Sequence, residues 1–308
     1  MSLSNNRLPD VAEALRVACQ QAGVDPRGAA LLRHFANAVF LVNGVVARVA
    51  YGPDAVQRSA QALMVTHWLN LQGFPATEPI LGLHPTLEPV VITGHDGELA
   101  VTFWVYYPQP KDDRPDFKVL GNLTKLLHQV AGAPPIPLPT YEPLRSLRHL
   151  LSTSTAKAVL GPEASAWLSA RAATLANEAN TLTSALGVGM IHGDLYAGNL
   201  LASGSGDVPW RLGDWDSVCI GLREIDLAPT AVAARFGLDA SSIEQASDAY
   251  GFDVRAWPAF PVLREIRELS TLTALIRLAG TQPQSAKELN LRINSLRDGD
   301  TTIFWHPQ

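Results

Sequence analysis

The chain lacks the features that mark several protein classes. Its 308 residues include two cysteines, Cys19 and Cys219, too few for a disulfide framework, and both read as buried thiols. No cluster of Lys or Arg stands out, and the formal net charge is −5. Neutralising a run of phosphates requires such a cluster, so no nucleic-acid partner is expected. The longest apolar stretch is interrupted by Asn43 and Arg48 and falls short of the ~20 residues that span a bilayer. No membrane association is expected either. The segment from Met1 to Asp10 is polar and has no apolar signal core, which makes a cytoplasmic protein the expectation. Internal repeats and low-complexity tracts are also missing. What remains is 47% hydrophobic and 17% charged, ample for a core in one large domain or two lobes.

Hydrophobic periodicity divides the chain in two. Asp10 can cap a helix carrying Val11, Leu15 and Cys19 at helical spacing. Two strand-like runs, 31–41 and 44–51, are separated by Asn43-Gly44, the strongest short hairpin signal. A helix should fill 54–71, with Gly73 and Pro75 to stop it. Two more strands, 88–93 and 99–106, flank a turn at 94–97. Residues 1–107 thus read as an antiparallel lobe with one inserted helix, and the polar, Pro-rich stretch 108–115 as a linker. Residues 108–308 are mainly helical, with helices expected over 117–130, 164–185 and 262–278. The exception is 187–227, where short strands, loops and polar motifs gather. The fold class is α+β: a small sheet lobe, a hinge and a larger helical lobe.

The chemistry concentrates between His192 and Asp214. Asp194 follows the apolar strand 188–191 on a loop. A carboxylate there can take the proton of an incoming hydroxyl and aim its oxygen at a γ-phosphorus. Asn199 offers an amide oxygen and Asp214 a carboxylate at the spacing that grips a metal on nucleotide phosphates. Magnesium takes hard oxygens and keeps phosphates as further ligands, so this pair suffices. Asp216 shares the facing of Asp214 if the chain stays extended, and there it touches metal or substrate or is merely solvated. His192 is a candidate base or a loop-shaping imidazole.

The stretches "IHGDLYAGNLL" (191–201) and "LGDWDSVCIGLREIDLA" (212–228) resemble the aminoglycoside phosphotransferase/choline kinase family, which shares the protein-kinase fold. The likeness runs through "NAVFLVNGVVARVAYG", "WLNLQGFPATEPI" and "LGNLTKLLHQV". The C-terminal "YGFDVRAWPAFPVLREIRELSTLT" resembles an actinobacterial subgroup whose substrates are mostly unassigned. The resemblance implies a two-lobed kinase-like fold with Asp194 as catalytic base and Asn199 and Asp214 as Mg²⁺ ligands. It makes Asp226 a buried support of the catalytic loop and puts Arg48 on the nucleotide phosphates, where kinases place a lysine. The implied activity is an ATP- or GTP-dependent phosphotransferase acting on a small-molecule hydroxyl, as monomer or homodimer. A hinge near 103–107 would meet the base, with Trp104 and Tyr106 either at the nucleotide or in the core.

Two departures accompany the resemblance. The loop over the phosphates, near 34–37, has no glycine, so backbone approach would come from Ala36 and Asn37. The small-lobe helix should carry a Glu for the basic residue, yet Ala62 fills the slot beside Gln61, and no Glu occurs between Asp54 and Gly73. Arg48 then lacks a partner, or uses Gln61 or Asp54. That gap keeps a second reading open: a nucleotide-binding pseudokinase regulating a partner. For the substrate, Glu265 and Glu268 share a helical face at i, i+3 and suit a cationic acceptor, or belong to a solvated face with Glu244, Asp248 and Asp253.

Overall fold

A computed structural model describes residues 7–34, 37–84, 86–109 and 115–306. Helix α1 (Arg7–Ala22) leads into strands β1 (Ala30–His34), β2 (Asn37–Val42) and β3 (Val45–Ala50), then α2 (Ala55–Leu71), β4 (Val90–Gly94) and β5 (Gly97–Val105). The five strands form one antiparallel sheet in the order β1-β2-β3-β5-β4. Asn43 (φ 46°) and Gly44 (φ 82°) form the two-residue turn that fixes the β2–β3 register.

Period-2 alternation sorts the sheet's two faces. Ala38, Val42, Ala47, Val49, Leu99, Val101 and Phe103 pack with Val11, Leu15 and Cys19 of α1. The opposite face, carrying Asn37, Arg48, Thr102 and Trp104, looks toward the rest of the molecule. The stretch 31–41, read as one strand, is two, because the chain reverses between β1 and β2. Phe35 and Ala36, the latter expected to approach the phosphates, lie outside the described residues.

The second part of the chain holds α3 (Phe117–Gln129), α4 (Arg145–Ser152) and α5 (Ser154–Ala179). There follow β6 (Val188–Ile191), β7 (Leu200–Ala202), β8 (Trp210–Leu212) and β9 (Cys219–Leu222). Helices α6 (Glu224–Val232), α7 (Ala240–Tyr250), α8 (Phe260–Ser270), α9 (Leu272–Ala279) and α10 (Pro283–Arg297) complete it. Strand β6 pairs with β9 and β7 with β8, two small antiparallel ribbons at the base of the cleft. The expected helix over 164–185 starts earlier and is broken at Gly161 (φ 73°), before Pro162. The expected helix over 262–278 is two helices separated at Thr271. Most of the expected linker, 110–114, lies outside the described residues.

The parts are joined by a buried cluster that includes Leu63 and Leu69 of α2, Trp104 of β5, Leu120 and Leu127 of α3, and Leu195, Leu212 and Trp215. The helical core lies behind it, around Leu168, Leu175, Ile191, Leu269 and Leu275. Helix α3 meets α7 at Gly121, where an added Cβ would stand 2.2 Å from the Ala246 carbonyl oxygen. Gly121→Ala is therefore expected to destabilise the fold by about 1–3 kcal/mol through overpacking, read as a lower midpoint in urea denaturation with unchanged slope.

Candidate active site

The loop after β6 is held from beneath by one carboxylate. Buried Asp226 of α6 accepts from the backbone N–H of His192 (2.7 Å) and of Gly193 (2.8 Å). Its Oδ2 also lies 3.2 Å from His128 Nε2, and His128 Nδ1 lies 2.9 Å from the Tyr250 hydroxyl. Gly193 has φ 81°, and a Cβ there would come within 2.4 Å of the Ser217 carbonyl oxygen. Only glycine lets the loop approach that closely. The buried His192 ring stacks obliquely on Trp215 (4.7 Å between centroids), and its Nε2 lies 2.9 Å from the Gly213 carbonyl. A carbonyl partner requires Nε2 to carry the proton, and this contact ties the imidazole to backbone.

These bonds present Asp194 at the cleft with its side chain 40% exposed. Asn199 ends a short 3₁₀ turn (Ala197–Asn199); its Nδ2 donates to the Asp194 carbonyl (2.9 Å), which leaves Oδ1 as the free atom. Gly213 N–H donates to the Asn199 carbonyl (2.8 Å), extending the β7–β8 ribbon and setting Asp214 beside Asn199. Asp214 is left-handed (φ 63°, ψ 56°), a conformation costing a non-glycine residue about 1–2 kcal/mol. Buried Trp215 anchors the turn: its indole N–H donates to the Leu212 carbonyl (2.8 Å) and its ring meets Phe74 edge-on. An amide oxygen beside a partly exposed carboxylate fits a hard divalent cation. Among the described residues no group of three His, Cys, Asp or Glu side chains forms a closed metal cage. A cation held here would complete its shell with phosphate oxygens and water, which is how magnesium binds.

The sheet supplies positive charge. Buried Arg48 ion-pairs with Asp216 and lies 3.7 Å from Asp214. Burial by itself would raise the Asp216 carboxyl. The Arg48 charge and hydrogen bond, with Arg58 and Asn37, outweigh it and hold the group below the usual aspartate value. The partner that α2 fails to supply thus comes from the segment after Asp214. The two alternatives are engaged elsewhere: Gln61 donates to the Val218 carbonyl (2.8 Å), and Asp54 pairs with Arg145 (2.7 Å). Ala62 is buried in the cluster between the lobes.

Arg33 was not singled out by sequence reasoning. It lies 3.6 Å from Asp214. A bulge between Leu31 and Arg33 shifts the register, so Leu31 faces Phe40 but Arg33 faces Val39, itself opposite Arg48. Without that extra residue Arg33 would point to the α1 side. No local signal in the sequence announces such a bulge.

Several expected positions require correction. Of the two readings of Trp104, the packing is that of a core aromatic: it is buried in the inter-lobe cluster and donates to Thr102 Oγ1 (2.8 Å). Within the stretch expected to be the hinge, Phe103 N–H donates to His84 Nε2 (2.7 Å), Ile80 N–H donates to the Phe103 carbonyl (3.1 Å), and Val105 N–H donates to the Glu78 carbonyl (3.0 Å). Half-buried Tyr106 stands just past the end of β5. Asn37 opens β2 opposite Ala50 because the tight hairpin sets that register; its Nδ2 donates to Asp216 (3.1 Å). Asp216 faces Arg48 across the cleft, not solvent. Glu268, 2% exposed, points into the helical core against Arg235 (3.2 Å), and burial raises its pKa. Glu265 is gripped by both arms of Arg171. The face of α8 that reaches the loop carries instead Arg267, whose Nη1 lies 2.6 Å from Asp194 Oδ1.

The model of the phosphotransferase enzyme family matches residues 29–266. Among solved structures the fold is similar to that of a microcompartment-associated aminopropanol kinase, at 17% identity over 96% of this chain and 99% of the other, with a TM-score of 0.65. It is also similar to the GDP and kanamycin complex of APH(2")-IIia, at 13% identity over 94% and 99%, TM-score 0.58. A third likeness is to spectinomycin phosphotransferase in complex with ADP and its antibiotic, at 14% identity over 93% of each chain, TM-score 0.55. No curated protein sequence matches the chain. The fold is therefore kinase-like, and no helix among the described residues is long and apolar enough to cross a membrane.

Proposed function

Because the chain belongs to the phosphotransferase enzyme family, we propose that it is an O-phosphotransferase using ATP or GTP, with Asp194 as base and the sheet's arginines on the phosphates. Phosphoryl transfer to a small-molecule hydroxyl is the activity of the family. The observation that carries the finer reading is the convergence of Asp194, Asn199 and Asp214 from the helical part with Arg48 from the sheet across one cleft.

Asp194 orients the acceptor hydroxyl and takes its proton as the new oxygen–phosphorus bond forms. The bond from the γ-phosphorus to the bridging oxygen breaks, and the nucleoside diphosphate leaves with the electron pair. Asn199 and Asp214 would hold Mg²⁺, which supplies charge neutralisation on the phosphates when bound. Arg48 offers a bidentate fork to phosphate oxygens, and Asp216 keeps that fork aimed into the cleft. Asp226 sets the loop from which Asp194 acts. The pseudokinase reading was motivated by the missing glutamate of α2; the ion pair that Asp216 gives Arg48 favours the catalytic reading over it.

The test is equilibrium titration with ATP and with GTP, each with and without Mg²⁺. Asp214→Ala is expected to weaken Mg²⁺-dependent nucleotide binding at least tenfold, since one of two protein ligands is lost. An unchanged Mg²⁺ dependence would remove Asp214 from the metal site. The nucleotide that binds tighter to the unaltered chain identifies the donor.

A further inference from the structure

The charge that stands beside Asp194 from α8 is positive. If Asp194 is the base, the acceptor hydroxyl must come within hydrogen-bond reach of its carboxylate. That places the acceptor beside the Arg267 guanidinium, 2.6 Å from the same carboxylate. Arg267 comes from α8, a rigid helix, and its side chain is 27% exposed. Its one hydrogen-bonded partner among the described residues is Asp194, and the Tyr196 ring lies 6.0 Å from its guanidinium carbon. A guanidinium has five N–H donors in a planar fork. One bond to Asp194 leaves most of that fork unused, and the side chain is partly exposed.

Three of the carboxylates that could receive a cationic acceptor are committed elsewhere. Glu265 is held by Arg171, Glu268 is buried against Arg235, and Asp253 is paired with Arg255. Glu244 and Asp248 lie exposed on α7, the helix that packs against α3. Tyr196, on the catalytic loop, feels four charged groups: Asp194, Asp214, Arg33 and Arg267. Each of the two acids in that set has an arginine beside it, Arg33 at Asp214 and Arg267 at Asp194.

We infer that the acceptor carries an anionic group, a carboxylate or a phosphate, close to the hydroxyl that is phosphorylated, and that Arg267 binds it. The inference rests on the phosphotransferase reading for the place of the hydroxyl. Arg267 would exchange part of its contact with Asp194 for the acceptor's anion, which leaves the base freer to take the proton. A polycationic acceptor would meet a like charge at the base, while Glu265, Glu268 and Asp253 are already paired. The transfer keeps the balance already given, with the proton going to Asp194 and the bridging oxygen leaving on the diphosphate.

Binding of small hydroxyl compounds to the full chain with Mg·ATP, measured by calorimetric titration, tests this. The probes are glycerate for a carboxylate, glycerol 3-phosphate for a phosphate, glycerol as the neutral control, and choline and kanamycin as cations. At least one anionic probe is expected to bind tenfold or more tighter than glycerol, and whichever responds names the anion. Arg267→Gln should abolish that preference, and Arg267→Lys should restore part of it, while Mg·ATP affinity stays within twofold in both. If neither anionic probe outperforms glycerol, or if choline or kanamycin binds best and Arg267→Gln leaves that binding unchanged or tighter, the inference is wrong. An anion preference in a chain that binds neither ATP nor GTP would sink the phosphotransferase reading and leave the anion site standing.

Discussion

Asp194→Asn is expected to lower turnover by about 10²–10⁴-fold, the usual contribution of a positioned general base, with Mg·nucleotide binding nearly unchanged. Asparagine keeps the shape and one carbonyl oxygen but cannot hold the acceptor's proton at neutral pH. The loop should survive the change, because its geometry is set by backbone bonds to Asp226 and by the close approach at Gly193. The substitution also releases Arg267 from its ion pair, so the acceptor's apparent affinity is free to change in either direction while kcat falls. Steady-state kinetics with an accepted hydroxyl compound, beside a nucleotide titration, separate the two effects. Turnover within twofold of the unaltered chain would mean that another group takes the proton.

Asp216→Ala is expected to cost stability, by about 3–5 kcal/mol for a buried ion pair broken from one side. The lower end is favoured, since Asp214 remains 3.7 Å from Arg48 and can take over part of the contact. The loss arises less from missing attraction than from leaving a guanidinium buried without a counter-charge. Replacing both members, as in Arg48→Met with Asp216→Leu, is therefore expected to cost much less than the sum of the singles. Denaturant titration of the four-member cycle measures that difference; strict additivity would mean the pair is not coupled. The same pair sets a pH dependence. Asp216 is held below its usual value of 3.8 in the folded chain, so the folded state binds the proton less readily than the unfolded state does. Its stabilisation is complete above about pH 4 and drains away as pH falls through the folded value. The Asp216→Asn variant should show a shallower loss of stability over that acidic window.

How much of this could be read beforehand depended on whether the signal was local. Asn43-Gly44 fixed a hairpin because two residues with positive φ suffice to turn it. That Asp194, Asn199 and Asp214 lie together could be read because a loop and one ribbon carry all three within about 20 residues of chain, where spacing alone constrains reach. Helical periodicity puts Glu265 and Glu268 on a shared side, but the partners they pair with, Arg171 and Arg235, come from other helices. Trp104 was ambiguous for the same reason, since an aromatic at the end of a strand looks alike whether it packs inward or lines a cleft.

The sequence by itself determined the fold class, the candidate catalytic loop and the types of atom available there to a base and a metal, because these follow from periods of 2 and 3.6 residues and from short spacings. Which charges meet across the cleft was decided only by tertiary structure. Arg48 finds Asp216, Arg33 is turned toward Asp214 by one bulged residue, and Arg267 reaches Asp194 from a distant helix. Partner choice among ions depends on distances of a few ångströms between segments far apart in the chain, and no local pattern encodes those distances.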